Sequence, residues 1–384
     1  MFKTTITHSV DLDSLDAVEE VLDQAREDLE GLRPQAGLLY AGIDHDFEPI
    51  LEKINEAYPG MELIGCTTDG EVSSVCGFAD DSIVLTLFCS DEIEFKSGVV
   101  DEATTESAVL LTQAVASAAN SMESKPKMCI TTPTGWPGLI TGEDVIAGIQ
   151  KALGASFPVF GGMAGDQFRF QGTYQFCNDT VYTGAVPFLL LAGPLLFSFG
   201  VESGWMPVGE KAVVTKSDYN VVYKIGEQSA MSFFRHYLGE GEWYPVSEFP
   251  LAVYDDEGFC LRSSLANDVE TGSITYTGPI PEGTFVQITH ATRDQIVEAA
   301  KTSVDAAVTD YPGTNPMLAL CFSCTCRKQV LGTRIGEEYE ILKKSNPDLA
   351  VAGFYTYGEI GPAAKDKSVK LHNDTMCTLL LGID

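Results

Sequence analysis

The chain has 384 residues, 45 % of them hydrophobic, and sets 24 Lys and Arg against 55 Asp and Glu for a formal net charge of -31. That length and apolar share supply buried cores for two or three domains. The acidity, with no basic patch carrying interleaved aromatics, excludes nucleic acid as a partner.

The amino terminus, MFKTTITHSVDLD, lacks the long apolar core of a signal peptide. The first recognisable unit opens with the apolar strand Pro34 to Gly42. Phe47 to Gly60 follows as a helix with Ile50, Leu51, Ile54 and Ala57 on one face, closed by Pro59-Gly60. ELIGCTTDGEV begins as a strand, DSIVLTLF supplies another, and an alanine- and leucine-rich helix runs from about Thr104 to Ala119. Lys127 to Thr132 is a short strand. After the GWPG turn, TGEDVIAGIQKALG is a helix that Thr141 caps, and Ser156 to Gly162 is the next strand. VPFLLLAGPLLFSFG, Val186 to Gly200, is the longest apolar stretch. Gly193 and Pro194 break it, so it reads as strand, turn and strand, and no membrane insertion is expected. SAMSFFRHYLG is a helix, and GEGEWYPVSEFP marks a boundary between about Gly239 and Pro250. A hairpin around Asp255 to Gly258, a helix from Thr292 to Asp310 and the strand MLALCFSC complete the order.

Three short stretches echo one another: Gly65 to Glu71 (GCTTDGE), Gly161 to Asp166 (GGMAGD) and Gly353 to Glu359 (GFYTYGE). Each is followed by an acid–hydroxyl pair leading into an apolar strand, namely Asp81-Ser82, Asp179-Thr180 and Asp374-Thr375. Three copies of strand, helix, strand, glycine–acid turn and strand argue for internal duplication. The expected fold is α/β to α+β, with internally duplicated units whose mixed β-sheets are flanked by helices. We read two larger units: residues 1–240, containing two related subunits of structure, and residues 241–384.

The ten cysteines sit mostly inside apolar stretches, which suits free buried thiols in a reducing cytoplasm better than a disulfide scaffold. Cys321-Phe-Ser-Cys324-Thr-Cys326-Arg327 places thiols beside a guanidinium that lowers a thiol pKa or clamps a carboxylate; it reads as plain structural thiols, as ligand-site lining around Cys324 and Arg327, or as redox (Cys321-x-x-Cys324) or metal chemistry. The five histidines are scattered, so no metal site and no cofactor is expected. Glycine–acid turns at strand ends are where α/β proteins bind ligands, which singles out Glu71 and Glu359 against a purely structural turn. Arg262 presents a fork to an anion or forms one more salt bridge; Arg293 is blander. Asp166 and Arg169 lie in GGMAGDQFRF. Walker, dinucleotide-binding, serine-hydrolase, zincin and zinc-deaminase patterns are absent from the sequence, and no catalytic apparatus is recognisable.

The segment LIGCTTDGEVSSVCGFADDSIVLTLF resembles the amino-terminal part of the FIST family, and FGGMAGDQFRFQGTYQFCNDTVYTGAV the later part of the same domain. FSCTCRKQVLG and AGFYTYGEIGPAAKDKSVKLHNDT are similar to its carboxy-terminal domain. The family's Ser-Cys-x-x-Arg pattern matches Ser323, Cys324 and Arg327. Its Tyr-Gly-Glu-Ile-Gly-Pro pattern matches Tyr357 to Pro362, and Gly-Gly-x-Ala-Gly-Asp matches Gly161 to Asp166. Cys326 stands where a smaller residue is expected. The resemblance implies an intracellular sensor for a small ligand, an amino acid or derivative among them. No output module is recognisable around the two domains, so the expectation is that it passes its state to a separate signalling protein or acts alone. Taken with the reading of the residues themselves, the candidate ligand residues are Cys324, Arg327, Tyr357 and Glu359, with Arg262 nearby. Two alternatives stay open: an enzyme with Cys324 as nucleophile and Arg327 as electrostatic support, and a non-catalytic scaffold.

Overall fold

The computed structural model describes every residue except 102, 105, 106, 136–139, 240–247 and 384, together with the side chain of residue 345. Three six-stranded mixed sheets share one plan. The first has the order Phe2–Ser9, Ile83–Ser90, Ala36–Ala41, Glu62–Thr67, then Tyr174–Cys177 and Thr180–Thr183. The second runs Glu94–Val100, Val186–Ala192, Pro126–Thr131, Val159–Gly162, then Glu359–Pro362 and Val369–His372. The third runs Leu196–Glu202, Met376–Gly382, Leu318–Cys324, Ala350–Thr356, then Glu71–Ser73 and Gly77–Ala79. In each sheet the middle pair is parallel and every other pairing antiparallel. The closing hairpin always belongs to another unit. The first unit lends its hairpin to the third sheet, the third to the second, and the second to the first, so the three units are interlocked in a ring.

Alternation along the strands explains how the sheets stack. Leu38 and Tyr40 face the central core, which gathers Met128, Ile130, Leu320 and Phe322 from the other two sheets; Leu39 and Ala41 face outward under helices. Helix Ser14–Leu29 covers the outer face of the first sheet. Asp13 caps it by accepting from the N–H groups of Leu15 and Asp16, and Val18, Val21, Leu22 and Ala25 supply its apolar stripe. Helix Gly142–Leu153 starts at the expected Thr141, which forms a capping box with Asp144. Residues 136–138 of the expected GWPG turn lie outside the described residues.

Cyclic hydrogen bonds fix which residues correspond. Asp69 N–H donates to Tyr355 O (3.0 Å), Gly165 N–H to Thr67 O (2.9 Å) and Tyr357 N–H to Met163 O (3.1 Å), a ring joining all three units at the ends of their parallel strands. The N–H groups of Gly42, Thr134 and Cys324 donate to the carbonyls of Ser82, Ala185 and Thr375, each at 2.9 Å. The counterpart of Asp81-Ser82 in the second unit is therefore Gly184-Ala185. Asp179-Thr180, expected from sequence in that role, sits instead at the turn of the lent hairpin.

A nine-stranded sheet interrupts the third unit between Leu196–Glu202 and helix Arg293–Thr309. Helix Ala230–Leu238 packs on it through Met231, Phe233 and Phe234. Its strands come from both sides of residue 240: Ala212–Asp218 pairs with Phe285–His290. The expected hairpin around Asp255 to Gly258 forms here. No helix among the described residues is long and apolar enough to cross a membrane.

Candidate functional site at the junction of the three units

The two glutamates singled out from sequence are locked inside their own units. Glu71 is fully buried and accepts from the Thr68 hydroxyl, the Ser82 hydroxyl at 2.6 Å and the Ser82 N–H at 3.2 Å. Glu359 repeats this with Thr356 (3.2 Å) and with the hydroxyl (2.7 Å) and N–H (3.2 Å) of Thr375. In the second unit the position is Gln175, whose carbonyl accepts the Ala185 N–H at 2.9 Å. Glu71, Gln175 and Glu359 share one register against the neighbouring sheet, opposite Phe354, Cys66 and Gly162. One position thus ties each hairpin to the start of the strand that follows it.

An amide performs that task in one unit, and burial pushes the Glu71 carboxyl up to about 7 and Glu359 up to about 8. A folded pKa above the ordinary 4.5 means the native state holds a proton the unfolded chain has released. Stability therefore falls as pH rises from about 4.5 through 7, by up to about 1.4 kcal/mol per pH unit for this one group. His8, hydrogen-bonded to Ser82 at 2.9 Å and lowered by burial to about 4, acts in the opposite sense below its ordinary 6.5. His8 is common to parent and variant, so the difference between their profiles isolates Glu71. Glu71→Gln should become relatively more stable with rising pH and match or exceed the parent above pH 7 in denaturant titrations. A variant weakest at pH 8 would show that the fold needs the ionised carboxylate.

The other sequence-derived candidates are spread around the junction. Arg327 is fully buried, and its guanidinium donates to Glu338 through two nitrogens, to Ser203 O (2.5 Å) and to Ile296 O (2.8 Å). Arg262, also buried, donates to Glu143 (2.5 Å), Leu371 O (3.0 Å) and Leu261 O (3.0 Å). Among the described residues no hydrogen bond or ion pair joins either arginine to Glu359. Cys324 ends its strand and precedes the short helix Thr325–Leu331; burial drives its thiol pKa well up, opposite to what a nucleophile at neutral pH requires. Arg169 pairs with Asp44 on the surface, and Arg293 donates to Val330 O.

What does meet at the ring of hydrogen bonds is Asp69, Gly165 and Tyr357, one from each unit. A Cβ on Gly165 would stand 2.3 Å from Asp69 Oδ1, so glycine is what admits the carboxylate. Asp69 accepts the Gln167 N–H at 2.6 Å and the Thr325 hydroxyl, and burial pushes it up to about 6. Asp166 accepts the N–H groups of Phe170 (3.1 Å), Gln171 (2.7 Å) and Gly172 (3.2 Å) and the Tyr357 hydroxyl. Tyr357 in turn accepts the Phe168 N–H at 2.7 Å. Lys328 stands at the rim, its ammonium on Asp69 O and Asp80.

The first and third units pass from their turns straight into the lent strand, whereas the second inserts Asp166 to Thr173 before its lent strand Tyr174–Cys177. Within that insertion Gln167, Phe168 and Phe170 have φ of 58°, 58° and 48°, a left-handed conformation costly for residues with a Cβ. The Phe170 ring stacks on Tyr357 at 5.5 Å and remains 44 % exposed. Asp69, Lys328 and the two phenylalanines were not selected from sequence. Asp69 lies two residues before the glutamate that drew attention, and only the exchange of hairpins brings it to Tyr357.

Models of the FIST N domain and the FIST C domain match residues 35–228 and 230–362. The chain is similar to an uncharacterized protein of Mycobacterium tuberculosis strain H37Rv, 23 % identical over 363 residues, which is 91 % of this chain and 92 % of that protein. It is similar as well to an uncharacterized protein of Methanocaldococcus jannaschii, 24 % identical over 373 residues, covering 85 % of this chain and 70 % of that one. Among solved structures, a cyanuric acid hydrolase from A. caulinodans aligns with a TM-score of 0.40 and 9 % identity over 100 % of this chain and 99 % of its own.

Proposed function

This chain belongs to the FIST family, whose domains are associated with signal-transduction sensors, and on that premise we propose that it is a cytoplasmic sensor of a small zwitterion. The ligand is an amino acid or a close derivative, bound where the three units meet, and the state is passed to a separate partner protein. The observation that carries this reading is the inserted loop of the second unit. It holds three left-handed residues and a half-exposed phenylalanine over two buried acids, and the same passage in the other two units does without it. Strain that the fold can do without is spent where a ligand is gripped.

The chemistry around the loop fits a zwitterion. Asp69 and Asp166 supply anionic oxygens for an ammonium, Lys328 offers a cation at the rim for a carboxylate, and Phe170 with Tyr357 forms an aromatic wall. Tyr357 is retained from the residues expected from sequence. Arg327 and Glu359 are better read as supports of this site than as its grip, because their hydrogen bonds run within their own unit and not to the inserted loop. Ten free cysteines, eight of them buried, suit a reducing compartment.

Titrating the standard amino acids one by one into the protein by calorimetry tests this. One of them should bind at a single site. Asp166→Asn and Asp69→Asn should each weaken it roughly tenfold to a hundredfold, the loss of about 1.5–3 kcal/mol from a hydrogen bond to a charged group. Affinity unchanged in both variants would place the ligand elsewhere.

A further inference from the structure

Next to this junction the third unit carries a cluster that the shared fold does not require. At the position of Cys324 the first unit has Gly42 and the second Thr134, as the matching hydrogen bonds establish. Those two units make the same turn without a thiol. In the third unit the sulfurs of Cys324 and Cys326 and a carboxylate oxygen of Asp374 all lie within 4.8 Å of one another, and all three residues are buried.

The carboxylate is held in a particular way. Asp374 Oδ2 accepts the Ser263 hydroxyl at 2.6 Å, while Oδ1 is buried with no hydrogen-bond partner. A buried acceptor left without a partner is costly, and native proteins seldom keep one without a use for it. Ser263 is supplied by the inserted sheet, from between the strands Gly258–Arg262 and Ser264–Asp268. It orients the carboxylate much as an outer-shell hydroxyl orients a metal ligand.

We propose that Cys324, Cys326 and Asp374 form a binding site for a thiophilic divalent cation of the zinc class. Two sulfur donors select such an ion over calcium or magnesium, which take oxygen donors. The ion satisfies Asp374 Oδ1 and neutralises charge in a pocket that otherwise keeps its thiols protonated. On binding, each thiol releases its proton to solvent as a sulfur–metal bond forms; no electron is transferred. Two thiolates, one carboxylate and a divalent ion leave a single net negative charge. Three protein ligands leave a fourth tetrahedral position for water or another small donor. From sequence the cluster looked incomplete, because the third ligand lies far along the chain and is an aspartate rather than one of the five histidines.

The test uses the full chain, reduced and freed of metal with a chelator, then titrated with Co²⁺ and afterwards with Zn²⁺. One equivalent of Co²⁺ should produce a thiolate-to-cobalt charge-transfer band, and Zn²⁺ should abolish it. Cys324→Ser and Cys326→Ser should each lose the band, whereas Cys76→Ser, which removes an exposed thiol, should keep it. X-ray absorption of the zinc-loaded parent, which depends on no variant folding, should give two sulfur ligands together with oxygen. Absence of stoichiometric cobalt binding, a band surviving in the Cys324→Ser/Cys326→Ser double variant, or a shell of light atoms alone would overturn the proposal.

Discussion

Arg327→Ala lowers the free energy of unfolding by about 3–5 kcal/mol, the cost of leaving one member of a buried ion pair without its partner. The guanidinium is wholly enclosed, and its partner Glu338 is 3 % exposed. Glu338 is further held by the Tyr355 hydroxyl (2.6 Å) and the Ser323 hydroxyl (3.3 Å). Arg327 thereby ties helix Thr325–Leu331 to helix Gly336–Ser345, to Ile296 in helix Arg293–Thr309 and to Ser203 at the start of the inserted segment. Removing it strands a carboxylate and frees two carbonyls. Replacing both partners by apolar residues, Arg327→Met with Glu338→Leu, should recover much of the loss, because an ion pair of this kind repays little beyond its own desolvation. Denaturant unfolding monitored by circular dichroism distinguishes this from a ligand-binding role. A stable Arg327→Ala protein that had lost only ligand affinity would return Arg327 to the binding site.

Gly65→Ala, Gly161→Ala and Gly353→Ala should each destabilise the protein by about 3 kcal/mol, the upper end of what overpacking typically costs. In every unit this glycine lies on the second strand of the parallel pair, directly opposite Leu39, Thr131 or Cys321 of the first. An added Cβ would stand 1.9 Å from Leu39 O, 1.8 Å from Thr131 O and 2.0 Å from Cys321 O respectively. A backbone oxygen between two central strands cannot swing aside as a side chain would, so the strands must part. Gly336, which begins a helix and has nothing within 4 Å of the added carbon, serves as control, and its alanine variant should unfold at or above the parent's midpoint. Losses at all three sites would express the threefold plan in energetic terms, the largest at Gly161, whose φ of 148° adds backbone strain to the clash. A neutral Gly161→Ala would mean that the second unit is not built like its neighbours.

The repeated turns were legible in the sequence because the close strand contact admits only glycine and the same tie recurs in each unit. Helices with a clear apolar stripe, such as Phe47–Ala57, or with a stripe and a cap, such as Gly142–Leu153, are legible for local reasons too. The strand Phe2–Ser9 is not legible, since FKTTITHS alternates short polar residues that pack only because Ile83–Ser90 lies beside them, whereas helix Ser14–Leu29 carries in its Asp13 cap and apolar stripe a local signal that could have found it. The exchange of hairpins is a long-range fact: Glu71–Ser73 pairs with Ala350–Thr356, and nothing local in either segment announces the other. Candidate-site residues follow the same division. Tyr357 and Asp166 stand in recognisable motifs, whereas Asp69 becomes a site residue only when the ring closes. Arg327 shows the opposite case, a cation singled out for its place beside the thiols and in the Ser-Cys-x-x-Arg pattern, whose partner, Glu338, lies on a neighbouring helix that no motif marked.

The claim that the junction of the three units is the ligand site is tested most directly by a crystal structure of the protein with the amino acid that calorimetry selects. The account predicts density against Asp69, Asp166 and the Tyr357 ring, beneath Phe170. Density confined to the 410 Å³ groove of the inserted sheet, between Lys211, Glu227, Phe233 and His236, would contradict it.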